Sequence, residues 1–214
     1  MEYPKINTLW KRDPGTHCII PGEYSDPAFG VINRWHITEK VDGTNVRVIH
    51  DPDNAFFGPL LIRGKTDNAQ LHPSLLVKLE ELFPLEKMKE AFKETSVILF
   101  GEGYGAKIQK GGGRYISGGV DFILFDVYID GWWLKPEDVT AIGRSLGVRV
   151  VPEIGVLPTD QAIAHVRDNQ LSLIAEDNTL PMEGIVARSE PQLFDRLGHR
   201  VMWKLKAKDY EQLK

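Results

Sequence analysis

Runs of strand-forming residues recur at 35–39, 44–50, 59–63, 97–101, 121–129, 132–134, 184–189 and 200–206, and several of them alternate apolar with polar positions, the period of two that predicts half-buried antiparallel strands. Asp130-Gly131, between two of these runs, is a tight-hairpin signal. A helical period takes over between strands. Residues 74–95 carry Leu75, Leu76, Leu79, Leu82 and Phe83 at helical spacing behind Pro73, and Pro84 divides the stretch into two helices. Another helix is predicted over 136–146, with Pro136 at its start and Gly147 past its end. A third runs from Thr159, whose hydroxyl is a candidate cap, to residue 175. The mixture predicts an α+β fold, antiparallel sheets with flanking helices. No repeat, charge block or low-complexity linker divides the chain, so one domain over 1–214 is the simplest organisation.

Composition narrows the chemistry. With 42% hydrophobic and 26% charged residues, the 214-residue chain is an ordinary globular protein, and its net charge of −4 excludes a global positive field. A polyanion site must therefore be a local patch. Residues 188–208 supply one, with six basic side chains against two acidic. The lone Cys18 excludes an intramolecular disulfide and a cysteine-rich zinc site, and fits a reducing, cytoplasmic compartment. Nearly apolar stretches are strand-length, well short of the roughly 20 residues a membrane span needs. Residues 1–10 lack a signal-peptide pattern, and the six histidines show no metal-ligand spacing.

The most informative segment is Thr38-Glu39-Lys40-Val41-Asp42-Gly43-Thr44-Asn45, a lysine at a strand end followed by a turn and a return strand. A lysine amine, with an ordinary pKa near 10.4, becomes a nucleophile where burial, cations or a metal lower that value. Taken alone, Lys-x-Asp-Gly is better described as a surface hairpin with Asp-Gly in its turn. Further along come Leu61-Ile62-Arg63-Gly64-Lys65-Thr66, Phe100-Gly101-Glu102-Gly103-Tyr104-Gly105, Phe122-Ile123-Leu124-Phe125-Asp126-Val127, Met182-Glu183-Gly184-Ile185-Val186-Ala187-Arg188 and Trp203-Lys204-Leu205-Lys206. Singly, each has a bland reading: Phe125 as core, Glu102 as an exposed acid in a glycine turn, Lys204 and Lys206 as lysines guarding an edge strand.

In order and spacing, the six elements resemble the covalent nucleotidyltransferase superfamily of polynucleotide ligases and capping enzymes, from about residue 35 to 208. The Thr-Glu-Lys before Asp-Gly, and Asn45 after it, are most similar to phage-type RNA ligases of the second class. Those ligases often carry His where this chain has Asp42. The resemblance implies the ligase and capping-enzyme nucleotidyltransferase (adenylation) fold, without the oligonucleotide-binding domain that DNA ligases append after the paired lysines. It implies that Lys40 attacks the α-phosphate of ATP to form a lysyl–AMP, with the Glu39 backbone at the adenine edge, Phe125 stacked on adenine and Glu102 on the ribose. Asn45 would join this nucleotide-binding set. Asp126 and Glu183 would lie near the metal, Mg²⁺ or Mn²⁺, and the phosphates, while Arg188, Lys204 and Lys206 would grip the triphosphate. Lys204 and Lys206 would also stabilise the transition state. Arg63 or Lys65 would contact a 5′-phosphate.

The reaction so implied is ATP-dependent joining of 5′-phosphate and 3′-hydroxyl RNA ends through an adenylated 5′ end. A partner protein could supply the clamp that a second domain would otherwise provide, and no membrane is involved. A DNA ligase, a capping guanylyltransferase and a non-catalytic RNA- or nucleotide-binding module are the alternatives. The glycine run 101–105, with Gly111-Gly112-Gly113-Arg114 after it, fits neither a dinucleotide fingerprint nor a Walker loop, and reads as a mobile loop bordering the active site.

Overall fold

Both periods are realised in the computed structural model, which describes residues 1–213. The chain forms two compact units, residues 1–3 with 42–151 and residues 4–41 with 152 onward. No helix among the described residues is long and apolar enough to cross a membrane.

The first unit is built on a six-stranded sheet. Arg149–Val150, Val120–Ile129, Val97–Gly105, Thr44–His50 and Leu60–Arg63 lie side by side in that order, and Trp132–Trp133 pairs with Val120–Ile129. All pairings are antiparallel except that of Arg149–Val150 with Val120–Ile129. Alternation assigns the faces: Val46, Val48, Leu60, Ile62, Val97, Leu99, Phe122, Leu124 and Val127 share one core with Leu75, Leu79 and Phe83. That core is covered by the helices Pro73–Leu82, Leu85–Phe92 and Pro136–Ser145. Pro84 separates the first two, as the sequence predicts, because its ring and missing N–H cannot continue a helix. Asp130 and Gly131 turn the hairpin with φ of 46° and 88°, the positive angles of a two-residue turn.

The opposite face of this sheet holds an element that its alternation conceals. Arg47, between Val46 and Val48, reads as a solvent-facing position, yet it is 1% exposed. Its guanidinium donates to Gly64 O (2.8 Å), Met1 O (3.0 Å) and Asp67 Oδ1 (2.8 Å). The same guanidinium holds the exposed Asp67 carboxyl below its usual range. Arg47→Met would strand two carbonyls, and a loss of about 2–3 kcal/mol is expected. Asp67→Asn, at an exposed end of the same network, should cost under about 1 kcal/mol. Denaturant titration of the two variants checks the ranking.

In the second unit, Asn7–Thr8, Met202–Lys206, Gly184–Ser189, Trp35–Lys40 and Glu153–Leu157 form a five-stranded sheet in that order. Only the Asn7–Thr8 pairing is parallel. Trp35, Ile37, Ile185, Ala187, Trp203 and Leu205 point to its core, joined by Leu9, Trp10, Phe29, Ala162 and Val166.

Three local expectations are corrected here. Thr159 does not cap its helix: Pro158 is the cap residue, and the Thr159 hydroxyl accepts from Trp35 Nε1 and donates to Ile32 O. That helix, Thr159–Arg167, stops well short of residue 175, and Asn169 follows at φ 50°, where a right-handed helix cannot continue. Residues 101–105 are strand rather than loop, the end of Val97–Gly105, with the short helical turn Gly112–Arg114 beyond them.

Candidate active site

Lys40 ends its strand directly before the Asp42-Gly43 turn. Across the sheet, Gly184 pairs with Lys40 on one side and with Lys206 on the other. A Cβ at Gly184 would lie 2.1 Å from Leu205 O, so only glycine permits this approach of the strands. Glu183 precedes that row and binds both lysines: Lys40 Nζ donates to Oε2 and Lys206 Nζ to Oε1, each at 2.6 Å. Lys40 also donates to Val41 O at 3.3 Å. All three side chains are mostly but not fully buried, with 20%, 12% and 24% exposure for Lys40, Glu183 and Lys206. One carboxylate is thus the shared counter-ion of two ammonium groups, leaving one net positive charge at the edge of solvent, where such interactions are far less screened than on an open surface.

The remaining predicted residues of this unit follow the alternation. Lys204 lies on the same face as Lys206, in register with Val186, and Arg188 lies on that face two residues further, 5% exposed and opposite His36. Glu39 turns the other way. Its buried carboxylate accepts from Ser172 Oγ (2.5 Å) and Leu173 N (2.8 Å), and its own N–H donates to Pro152 O. The side chain therefore fixes the segment that leads into Glu183. Nothing in the local pattern marks Ser172 for this role.

The first unit carries the other predicted residues on the sheet face turned from its core. Asn45 and Glu102 are register partners, and Asn45 Oδ1 is buried with no hydrogen-bond partner among the described residues. Arg63 is in register with Arg47 at the end of its strand, whereas Lys65 lies past that end and is exposed. Phe125 occupies a β-bulge: Phe100 pairs with Asp126 and Gly101 with Leu124, leaving Phe125 as the extra residue. The bulge shifts the alternation, so Phe125 and Asp126 both leave the core face, and the reading of Phe125 as core fails for that reason. Tyr3, which sequence pattern does not single out, packs edge-on against Phe125 (centroids 5.0 Å apart) and donates from its hydroxyl to Asp126 Oδ2 at 2.8 Å. Val127 N also donates to Asp126, which is fully buried.

The Asp42-Gly43 turn is held by the segment after Gly105. Gln109 Nε2 donates to Gly43 O at 3.0 Å, and Asp42 N donates to the Tyr115 hydroxyl at 3.3 Å. A Cβ on Gly43 would sit 2.2 Å from Gly103 O, which explains glycine in the motif. Tyr115 packs on Tyr104, whose phenol burial pushes up to about 12 and which accepts from Arg149.

Among the described residues no three His, Cys, Asp or Glu side chains form a group that could hold a metal. Glu183, a partly buried carboxylate between two cations, suits a different arrangement, in which Mg²⁺ or Mn²⁺ would arrive on substrate phosphates and take one or two protein oxygens.

The profile of the RNA ligase family matches residues 33–206, most of the chain and all of the residues just described except Tyr3. The chain belongs to the RNA ligase family. Among solved RNA ligases, that of Naegleria gruberi with PPi superposes with a TM-score of 0.64 at 19% identity, covering 99% of this chain and 63% of that one. Mutants of the same ligase with ATP and Mn, and with AMP and Mn, give the same figures. The likeness establishes the nucleotidyltransferase fold. This chain spans less than two thirds of the length of those ligases. No curated protein matches it in sequence.

Proposed function

We propose that this chain is an ATP-dependent RNA ligase that passes AMP through Lys40. The observation that carries the reading is the Glu183 carboxylate held between Lys40 and Lys206, since a nucleophile, a proton acceptor and a phosphate-binding cation then stand in one contact chain. Lys40 Nζ attacks the α-phosphorus of ATP; the N–P bond forms and the bond to pyrophosphate breaks. The proton that Lys40 sheds has Glu183 Oε2 within reach. Lys206 and Lys204, with Arg188 on the same face, balance charge on the triphosphate and the departing pyrophosphate. A divalent cation carried by ATP would be met by Glu183, and it supplies charge neutralisation at the phosphates.

In the first unit, Glu102 is assigned the ribose and Phe125 the adenine face. Arg63 is preferred to Lys65 for the 5′-phosphate because it is held on the strand. Asp126, fully buried and already accepting from Tyr3 and Val127, is assigned to positioning Phe125 rather than to the cation. The buried, unpartnered Asn45 Oδ1 suits a hydroxyl donor, which favours ribose over deoxyribose. AMP would then pass to a 5′-phosphate, and a 3′-hydroxyl would displace it. The capping, DNA-ligase and non-catalytic readings gain nothing from the family match.

Incubation with α-labelled ATP, GTP or NAD and divalent metal tests the reading. ATP is expected to label the protein covalently, and stronger labelling by GTP would move it to capping chemistry. In the same preparation, nicked duplexes with a ribose at the 3′ end should be sealed faster than matched deoxyribose ones. Equal sealing would remove the RNA preference.

A further inference from the structure

The segment between Glu102 and Asp121 contains Lys107, Lys110 and Arg114 and no acidic residue, in a chain whose net charge is −4. Lys107 and Lys110 are exposed, and neither has an ion-pair partner among the described residues. Lys107 has φ 68°, the left-handed region that disfavours any side chain and that glycine adopts freely. A lysine there is poorly suited to stability alone.

The glycines of the segment point the same way. At Gly113 and Gly118 the backbone φ is not positive, and an added Cβ would meet nothing within 4 Å. Among the described residues, neither a left-handed φ nor a close neighbour explains a missing side chain at these two positions. Bare backbone is what remains, and it allows another molecule to lie close. The loop is also anchored rather than loose: Gln109 holds Gly43 O and Tyr115 accepts from Asp42 N, so the lysines flanking Gln109 are fixed to the turn that follows Lys40.

We propose that residues 106–118 form a grip for the phosphate backbone of the nucleic-acid strand, with Lys107 and Lys110 as its cationic contacts and Gly113 and Gly118 as the points of closest approach. This rests on the RNA-ligase reading for the identity of the strand, and it adds a contact surface outside the nucleotide site. Gln109 ties that surface to the nucleophile's turn, so strand binding and alignment of the turn are mechanically linked. Phosphate contacts of this kind are independent of base sequence.

The test is binding of a nicked 5′-phosphate RNA duplex without ATP, followed by fluorescence anisotropy across a salt series. Counterion release makes each phosphate contact worth about eightfold between 1 M and 0.1 M salt, with a slope of about −0.9 in log K against log salt. The double variant Lys107→Gly, Lys110→Ala should therefore bind about 60-fold more weakly at 0.1 M and lose about 1.8 from the slope. Lys107→Arg with Lys110→Arg should restore both. Lys107→Gly alone should melt at or above the wild-type temperature while binding more weakly, a combination that a merely structural lysine does not give. Labelling by ATP in the absence of RNA should stay within twofold of wild type in each variant. Wild-type affinity and slope in the double variant, or a loss that does not change with salt, would overturn the proposal. Failure of the wild type to take label would overturn the adenylation reading instead, and the salt slope would still report on the grip.

Discussion

Lys40→Ala is expected to abolish covalent labelling by ATP while leaving part of the sealing activity on a strand that already carries a 5′-adenylate. The substitution removes the only nitrogen at this position that can hold AMP, so the loss in the first assay should reach the detection limit. The later steps need alignment of the 3′-hydroxyl and neutralisation of the leaving AMP, and Lys206, Lys204 and Arg188 remain for those. Lys40→Arg separates charge from nucleophilicity. It keeps a cation beside Glu183, and should match Lys40→Ala in labelling but retain more sealing of the adenylated strand. If Lys40→Ala accepts label at the wild-type level, the nucleophile lies elsewhere and the motif series has been aligned wrongly. Melting of each variant alongside guards against a trivial loss of fold.

How much of this was legible in the sequence depends on how far each residue obeys a period. From Trp203 to Lys206 the strand alternates cleanly, so the lysine pair on one face and the core on the other could be read directly, and the structure places them so. Pro84 and Asp130-Gly131 act through their own covalent geometry and needed no tertiary context. Phe125 was singled out by the resemblance and not by the alternation, which reads it as core because a bulge is invisible to a count of twos. Arg47 escaped for the opposite reason: it keeps the alternation, and what meets its buried guanidinium comes from outside its own strand, Met1 at the start of the chain and Gly64 and Asp67 after the next strand. The strands Asn7–Thr8 and Trp10–Arg12 are too short to show any period. Thr159 illustrates a competition: its hydroxyl suits a helix cap, but a buried indole N–H from Trp35 claimed it, since a donor left unpaired there costs more than a missing cap bond. Gln109 and Tyr115 lie 60 or more residues from the turn they hold, and no local signal identifies such partners.

Glu183→Ala should behave differently from Lys40→Ala, impairing both labelling and sealing of the adenylated strand. Its carboxylate is the shared partner of two lysines at 2.6 Å each, so its loss leaves Lys40 and Lys206 facing one another without a counter-charge. Three functions fail together: acceptance of the Lys40 proton, orientation of both ammonium groups, and the oxygen offered to a phosphate-borne cation. Removing one preorganised group of this type typically costs roughly 3–4 kcal/mol, or about 10² to 10³ in rate. Glu183→Gln divides the contributions. The amide keeps the size and its oxygen can still accept from one lysine, but it takes no proton and brings no negative charge to a cation. A glutamine variant as impaired as alanine in both assays would locate the effect in the charge. A glutamine variant near wild type would show that orientation suffices, and would withdraw the proton-acceptor and cation roles from Glu183. Because Lys40 takes no covalent part in sealing a pre-adenylated strand, a Glu183→Ala loss confined to labelling would mean that the carboxylate serves Lys40 alone and that Lys206 does not depend on it.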